Sequence, residues 1–222
     1  MDYNKLYELA QIKRSLIVDQ KNDSLIKNKD ANFLWPGFVG YNYANSKVAI
    51  IAHYPAGGTI SYETPTNDDR NFYDMIEDFY YSKAENREKL FKEMNDFGRA
   101  YIPKWSIYRI IQVLLNNINI SLDEIIYFNA VPFRIPNNRA PKKTEIANAW
   151  NLYVEKMLDL FNPKIIACLG VATGKIFQSN YKGLSKVFVL RRRIGDNSID
   201  PEVYIECEKI KKYYNQLLYS NS

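Results

Sequence analysis

His53 is the only histidine in the chain. It follows an apolar run, Lys47 to Ala52, that reads as a strand. A single imidazole can take or give a proton near neutral pH, although a lone histidine is also an ordinary structural residue. The residues after it, Tyr54-Pro55-Ala56-Gly57-Gly58, form a tight loop of small side chains that lets a ligand approach the backbone. Asn129 closes a second apolar run, Ile125 to Phe128, and its amide both donates and accepts. Gly170 closes a third, Ile165 to Leu169. Asp68 and Asp69, with Glu63 behind them, supply carboxylates in the polar stretch 59–72. Their competing use is to cap a helix that starts near Asn71. Two segments are basic and free of acid: Arg134, Arg139, Lys142 and Lys143 in one, and Lys182, Lys186, Arg191, Arg192 and Arg193 in the other. Each is either a solvated surface or a rim that follows phosphates.

The elements that must hold these groups are legible from periodicity. Between the second and third apolar runs lies a basic, proline-punctuated loop, Val131 to Lys143. A segment with apolar residues at 146, 150, 153, 154, 157, 158 and 161 follows, which is helical spacing. Thr144 is placed to cap its start, and Asn162-Pro163 ends it. Strand, loop, helix and strand make a βαβ unit, and the continuous apolar runs suit strands buried on two faces. Such units cross over right-handed and leave their strand ends at one edge of the sheet. Ligands of open α/β sheets bind at that edge, so Asn129 and Gly170 are expected side by side there, with the basic loop above. A fourth strand is expected from Val187 to Leu190. Helices are expected over residues 3–18, packed on the outside of the sheet, over 72–97 as one or two pieces, over Trp105 to Ile118, over Val171 to Gln178, and from Pro201 to Leu218. The spelling Gly170-x-x-x-Gly174-Lys175 brushes against a phosphate-binding loop. It is one residue short, and Ile176 stands where a magnesium-binding hydroxyl belongs.

The loop and its helix carry a resemblance. Asn129, then Arg134, Pro136, Asn138, Arg139 and Pro141, then Pro163-Lys164 and Leu169-Gly170, resemble the uracil-DNA glycosylase superfamily, in particular its thermophilic and double-strand-acting bacterial branches. The match runs from Ile125 to Gly170 and, more weakly, over residues 48–75. It implies an α/β fold of three layers, α/β/α, around a central four-stranded parallel sheet. It also implies one domain over residues 1–222, with 1–46 as an N-terminal helix and covering loop. The implied activity is hydrolysis of the N-glycosidic bond of a damaged or modified base flipped out of DNA, leaving an abasic site. The alternative is a catalytically inactive relative that binds DNA or a protein partner. A third class, an α/β enzyme acting on free nucleosides, would lack the steep salt dependence of DNA binding.

Residue by residue, the resemblance sets Ala52 at the first glycine of the first motif, His53 at its glutamate, Tyr54 at its alanine and Pro55 at its proline. The carboxylate is therefore replaced by histidine. In the branch that lacks this carboxylate an aspartate further on supplies it, which makes Asp69, ahead of Asp68, the counterpart. The phenylalanine that stacks on the base falls at Thr66, leaving Tyr54, Tyr62 or Phe72 to stack instead. At the last motif, Arg191-Arg192-Arg193 replace His-Pro-Ser, and Ile194 is the apolar wedge. The implied catalytic set is His53, Asp69 and Asn129. Asn129, Tyr54, Tyr62 and Phe72 would bind the base. Arg134, Arg139, Lys142, Lys143, Gly170, Arg191, Arg192 and Arg193 would bind DNA.

Bulk properties bound the partners. The net charge is +5 and 46% of residues are hydrophobic, an ordinary globular balance. No apolar run is long enough to span a membrane, and the first residues lack the apolar core of a signal peptide. With only two cysteines, Cys168 and Cys207, the four-thiolate iron–sulfur cluster of the thermophilic glycosylases is not expected, nor is a structural zinc site. A cytoplasmic monomer without metal or cofactor is the expectation.

Overall fold

The computed structural model describes residues 1–18, 37–55, 67–133, 135, 139–192 and 198–220; the side chains at 67–70, 72, 73 and 220 fall outside the description. The protein is α/β. Five strands, β1 (Phe38–Val39), β2 (Val48–Ala52), β3 (Ile125–Asn129), β4 (Ile165–Leu169) and β5 (Lys186–Leu190), form one sheet in the order β1-β3-β2-β4-β5. The four long strands are those the apolar runs predict. The fifth, beyond the four expected, is a two-residue edge strand, too short to show a period. Every residue of β2, β3 and β4 is buried, as parallel strands covered on both faces require. β5 is partly exposed. β2 pairs parallel with β4, and β4 with β5.

Packing divides the described chain into two compact units that alternate in sequence. One holds Met1–Phe38, Tyr54–Gly98 and Phe128–Phe161; the other holds Val39–His53, Arg99–Tyr127 and Asn162–Ser222.

The first unit contains α1 (Tyr3–Ala10), α3 (Asn67–Tyr81), α4 (Arg87–Tyr101, as far as Gly98), α6 (Lys143–Ala149) and α7 (Glu155–Phe161). Asp2 caps α1, accepting from the N–H groups of Asn4 (3.1 Å) and Lys5 (3.2 Å). The helix expected over 3–18 stops at Ala10, because Lys13 adopts an extended conformation, and Ile17 and Val18 are buried past the break. Within the unit, α1 packs on an aromatic cluster. Tyr3 meets Phe91, and Tyr7 meets Phe79, in edge contacts at 5.6 and 5.9 Å. The Arg87 guanidinium sits 3.5 Å above the Tyr7 ring. α6 and α7 are joined by a π-helical stretch, Trp150–Val154. This wider turn brings the bulky Trp150, Tyr153 and Val154 all inward, where Phe128 meets Tyr153 edge-on at 5.9 Å. π-Bulges of this kind are uncommon and recur near functional sites.

The second unit contains α2 (Tyr43–Ser46), α5 (Tyr108–Ile118), α8 (Val171–Asn180) and α9 (Pro201–Ser220). The predicted inner face of α5 holds: Ile110, Ile111, Leu114, Leu115 and Ile118 are buried. α5 packs on α9, whose start is capped by Asp200, which accepts from the N–H of Glu202 at 3.0 Å. Gly174 on α8 is accounted for by packing. A Cβ there would meet the Val189 side chain at 2.5 Å, so glycine lets α8 lie close on β5. Cys168 and Cys207 are buried free thiols. Burial pushes the Cys168 thiol well up and that of Cys207 up to about 12. Among the described residues no helix is long and apolar enough to cross a membrane.

Candidate functional site

In the second unit, the carboxyl ends of three parallel strands come together. Ile51 of β2 pairs with Cys168 of β4, and continuing that register sets His53 opposite Gly170. Leu169 pairs with Leu190 of β5, and the Gly170 N–H donates to the Leu190 carbonyl at 2.7 Å. His53, Gly170, Arg191 and Arg192 therefore share one edge. β3 ends in Asn129, but β2 lies between β3 and β4 in the sheet. The expected side-by-side placement of Asn129 and Gly170 is thus corrected: the neighbour of Gly170 is His53. Strand order of this kind is decided by tertiary packing that one βαβ unit does not encode.

His53 is half-buried. Burial lowers its imidazole pKa below the ordinary value, so the ring is neutral at pH 7 and can accept a proton. Asn129 is 2% exposed, and a buried amide must have its hydrogen bonds met.

Gly170 has φ +96° and ψ 152°, a region essentially reserved for glycine. It turns the chain from β4 into α8, and a Cβ on it would lie 3.9 Å from the Arg192 Cβ. Space is available, so the cost of a side chain is backbone strain. Gly170→Ala is expected to lose about 1–3 kcal/mol of stability, read as a lower urea midpoint at an unchanged m-value.

The two described arginines after β5 differ. Arg191 is exposed and pairs with Glu202 at 2.8 Å. An exposed pair contributes about 0–1 kcal/mol, so Arg191 can exchange Glu202 for a phosphate at little cost. Arg192 is exposed, and its charge acts on Tyr127. Burial drives the Tyr127 phenol far above its ordinary range, and Arg192 opposes that shift. Tyr127 in turn carries the indole of Trp105, with ring centroids 5.7 Å apart and planes tilted by 55°. Trp105 is 36% exposed. Its periodicity marks only the start of a helix, so nothing in the sequence separates this surface aromatic from a core one.

In the first unit, Arg139 of the basic loop pairs with a buried carboxylate on α6. Glu145, 1% exposed, accepts from Arg139 Nη1 at 2.8 Å and Nη2 at 2.5 Å, and from the Lys142 N–H at 2.7 Å. Arg139 Nη1 also donates to the Ala140 carbonyl at 3.1 Å. α6 starts at Lys143, with Lys142 at the cap position. Thr144, expected to cap, is exposed in the first turn. Glu145 takes over because its carboxylate reaches back to the Lys142 N–H, as in the second half of a capping box. Lys142 and Lys143 are exposed.

Asp68 and Asp69 fall in the first turn of α3, which starts at Asn67 rather than near Asn71. An acid there is favoured by the helix dipole. Their side chains, and that of Phe72, lie outside the described residues. So do Gly57, Gly58, Tyr62, Glu63, Thr66, Arg134, Pro136, Asn138, Arg193 and Ile194. Tyr54 is half-buried next to His53 in sequence.

The chain matches no family profile. A type-4 uracil-DNA glycosylase from Sulfurisphaera tokodaii is 32% identical over 80 residues, covering 34% of this chain. The chain thus spans 36% of that relative's length. This similarity supports the uracil-DNA glycosylase superfamily, and the α/β fold with its mostly parallel sheet agrees with it.

Proposed function

We propose that the chain is a DNA glycosylase that hydrolyses the N-glycosidic bond of a flipped base and leaves an abasic site. The observation that carries this reading is the similarity to a uracil-DNA glycosylase, since a fold by itself does not define an activity. The three-layer arrangement of a single glycosylase-like domain belongs to the same reading, as does DNA as the partner. Cleavage at the glycosidic carbon passes through an oxocarbenium-like state and requires the base to leave the stack. Asn129, with donor and acceptor on one planar amide, would read the edge of a pyrimidine-like base and hold charge developing on it. His53, neutral because of its burial, would orient the attacking water and accept its proton, with Asp69 as the carboxylate that steadies the cationic sugar. Tyr54, Tyr62 or Phe72 would stack on the base. Arg191, Arg192 and Arg193 would hold phosphates or the departing base, with Lys142, Lys143 and Arg134 on the backbone.

Two departures from the resembled pattern, His53 for a carboxylate and three arginines for His-Pro-Ser, favour a substrate other than plain uracil, such as a bulky or modified base. They also keep a second reading open, a DNA-binding relative without catalysis. Purified protein would be incubated with single- and double-stranded oligonucleotides carrying uracil, hypoxanthine, 5-hydroxymethylcytosine or its glucosylated form, followed by alkali. Cleavage at one of these bases identifies the substrate. Intact strands that are still bound on a native gel support the non-catalytic reading.

A further inference from the structure

We infer that Glu145 is a positioning residue for DNA binding, and that Arg139 acts through it rather than as a phosphate contact. The inference rests on the DNA-binding reading above. Both terminal nitrogens of Arg139 are committed to one buried carboxylate, in the bidentate geometry that only a guanidinium provides. The same carboxylate takes the Lys142 N–H. One acidic side chain therefore ties Arg139 to the start of α6 and fixes the backbone from which Lys142 and Lys143 extend into solvent. A buried carboxylate is tolerated because the pair and the amide compensate its charge.

The two possible roles make opposite forecasts. Simple electrostatics says that removing a negative charge beside a basic loop strengthens DNA binding. Anchoring says that removal weakens it, because the two lysines lose their fixed position. Binding of labelled duplex would be followed by fluorescence anisotropy over a salt series for wild type, Glu145→Gln, Arg139→Lys and the double variant Arg139→Gln/Glu145→Gln, with folding checked by circular dichroism. The expected result for Glu145→Gln is affinity lower by about tenfold and a log–log salt slope shallower by up to about two units, the share of two phosphate contacts. Arg139→Lys keeps the charge but loses the fork, and should bind as poorly as Glu145→Gln. The double variant should lose nothing further, because the two side chains serve one function. Arg139→Lys requires no buried charge to be stranded, so it decides the matter even if Glu145→Gln fails to fold. Wild-type affinity and slope in Arg139→Lys, or tighter binding by Glu145→Gln, overturn the inference while leaving DNA binding intact. A wild-type protein that ignores DNA at every salt concentration overturns both.

Discussion

Asn129→Ala should reduce base excision by about a hundred- to a thousandfold while changing DNA affinity little. The asparagine closes β3 and is nearly inaccessible in the free protein. Its amide would meet a base only after that base has left the stack, so it contributes little to holding undistorted duplex. In the proposed mechanism its donor works hardest as charge develops on the leaving base, which assigns the loss to kcat more than to KM. Single-turnover excision at saturating enzyme, compared with anisotropy on the same oligonucleotide, separates the two quantities. Equal losses in both would make Asn129 a structural residue of the strand end.

His53→Gln should lower excision by about a hundred- to ten-thousandfold, the range for a positioned general base. Wild type should also show a characteristic pH dependence. Burial holds the folded-state pKa of His53 below its ordinary value, so the neutral form persists to lower pH than for a free imidazole. The acid limb of excision should therefore lie at lower pH than that of an ordinary imidazole, whose value is about 6.5. In His53→Gln that acid limb should vanish. Stability follows the same sign. Between the unfolded and folded pKa values the unfolded chain binds more protons, so stability falls as pH drops through that window. An excision profile in His53→Gln that matches wild type in both height and shape would shift the water-activating role to the Asp69 segment.

The sheet was legible because β2, β3 and β4 are buried on both faces and therefore spell continuous apolar runs. β5 is partly exposed and shows a weaker signal, and its start, Lys186, is one residue earlier than its pattern predicts. The two-residue β1 was not legible. The helix between β3 and β4 was legible as a helix, but its π-helical middle was not, because the inward residues keep nearly the same spacing in either geometry. Chain ends of strands gave His53, Asn129 and Gly170 as candidates, since in α/β sheets position alone marks them. Their neighbours were not readable: which strand lies beside which is set by packing. Arg139 read as one of four cations in an acid-free loop. Its partner, Glu145, sits beyond the prolines on the next helix, and only the fold shows that this acid is buried. Ile146, counted in the apolar stripe, is half-buried, while Glu145 beside it points inward.

As the glycosylase proposed, this protein would replace a base of DNA with a hydroxyl group taken from water. The most direct measurement is the intact mass of an oligonucleotide with a single modified base after incubation with the protein. The expected product is lighter by the base and heavier by a hydroxyl, with the backbone unbroken and the free base in solution. Unchanged mass for every base tested, with DNA still bound, would contradict it and leave a DNA-binding protein that does not cleave.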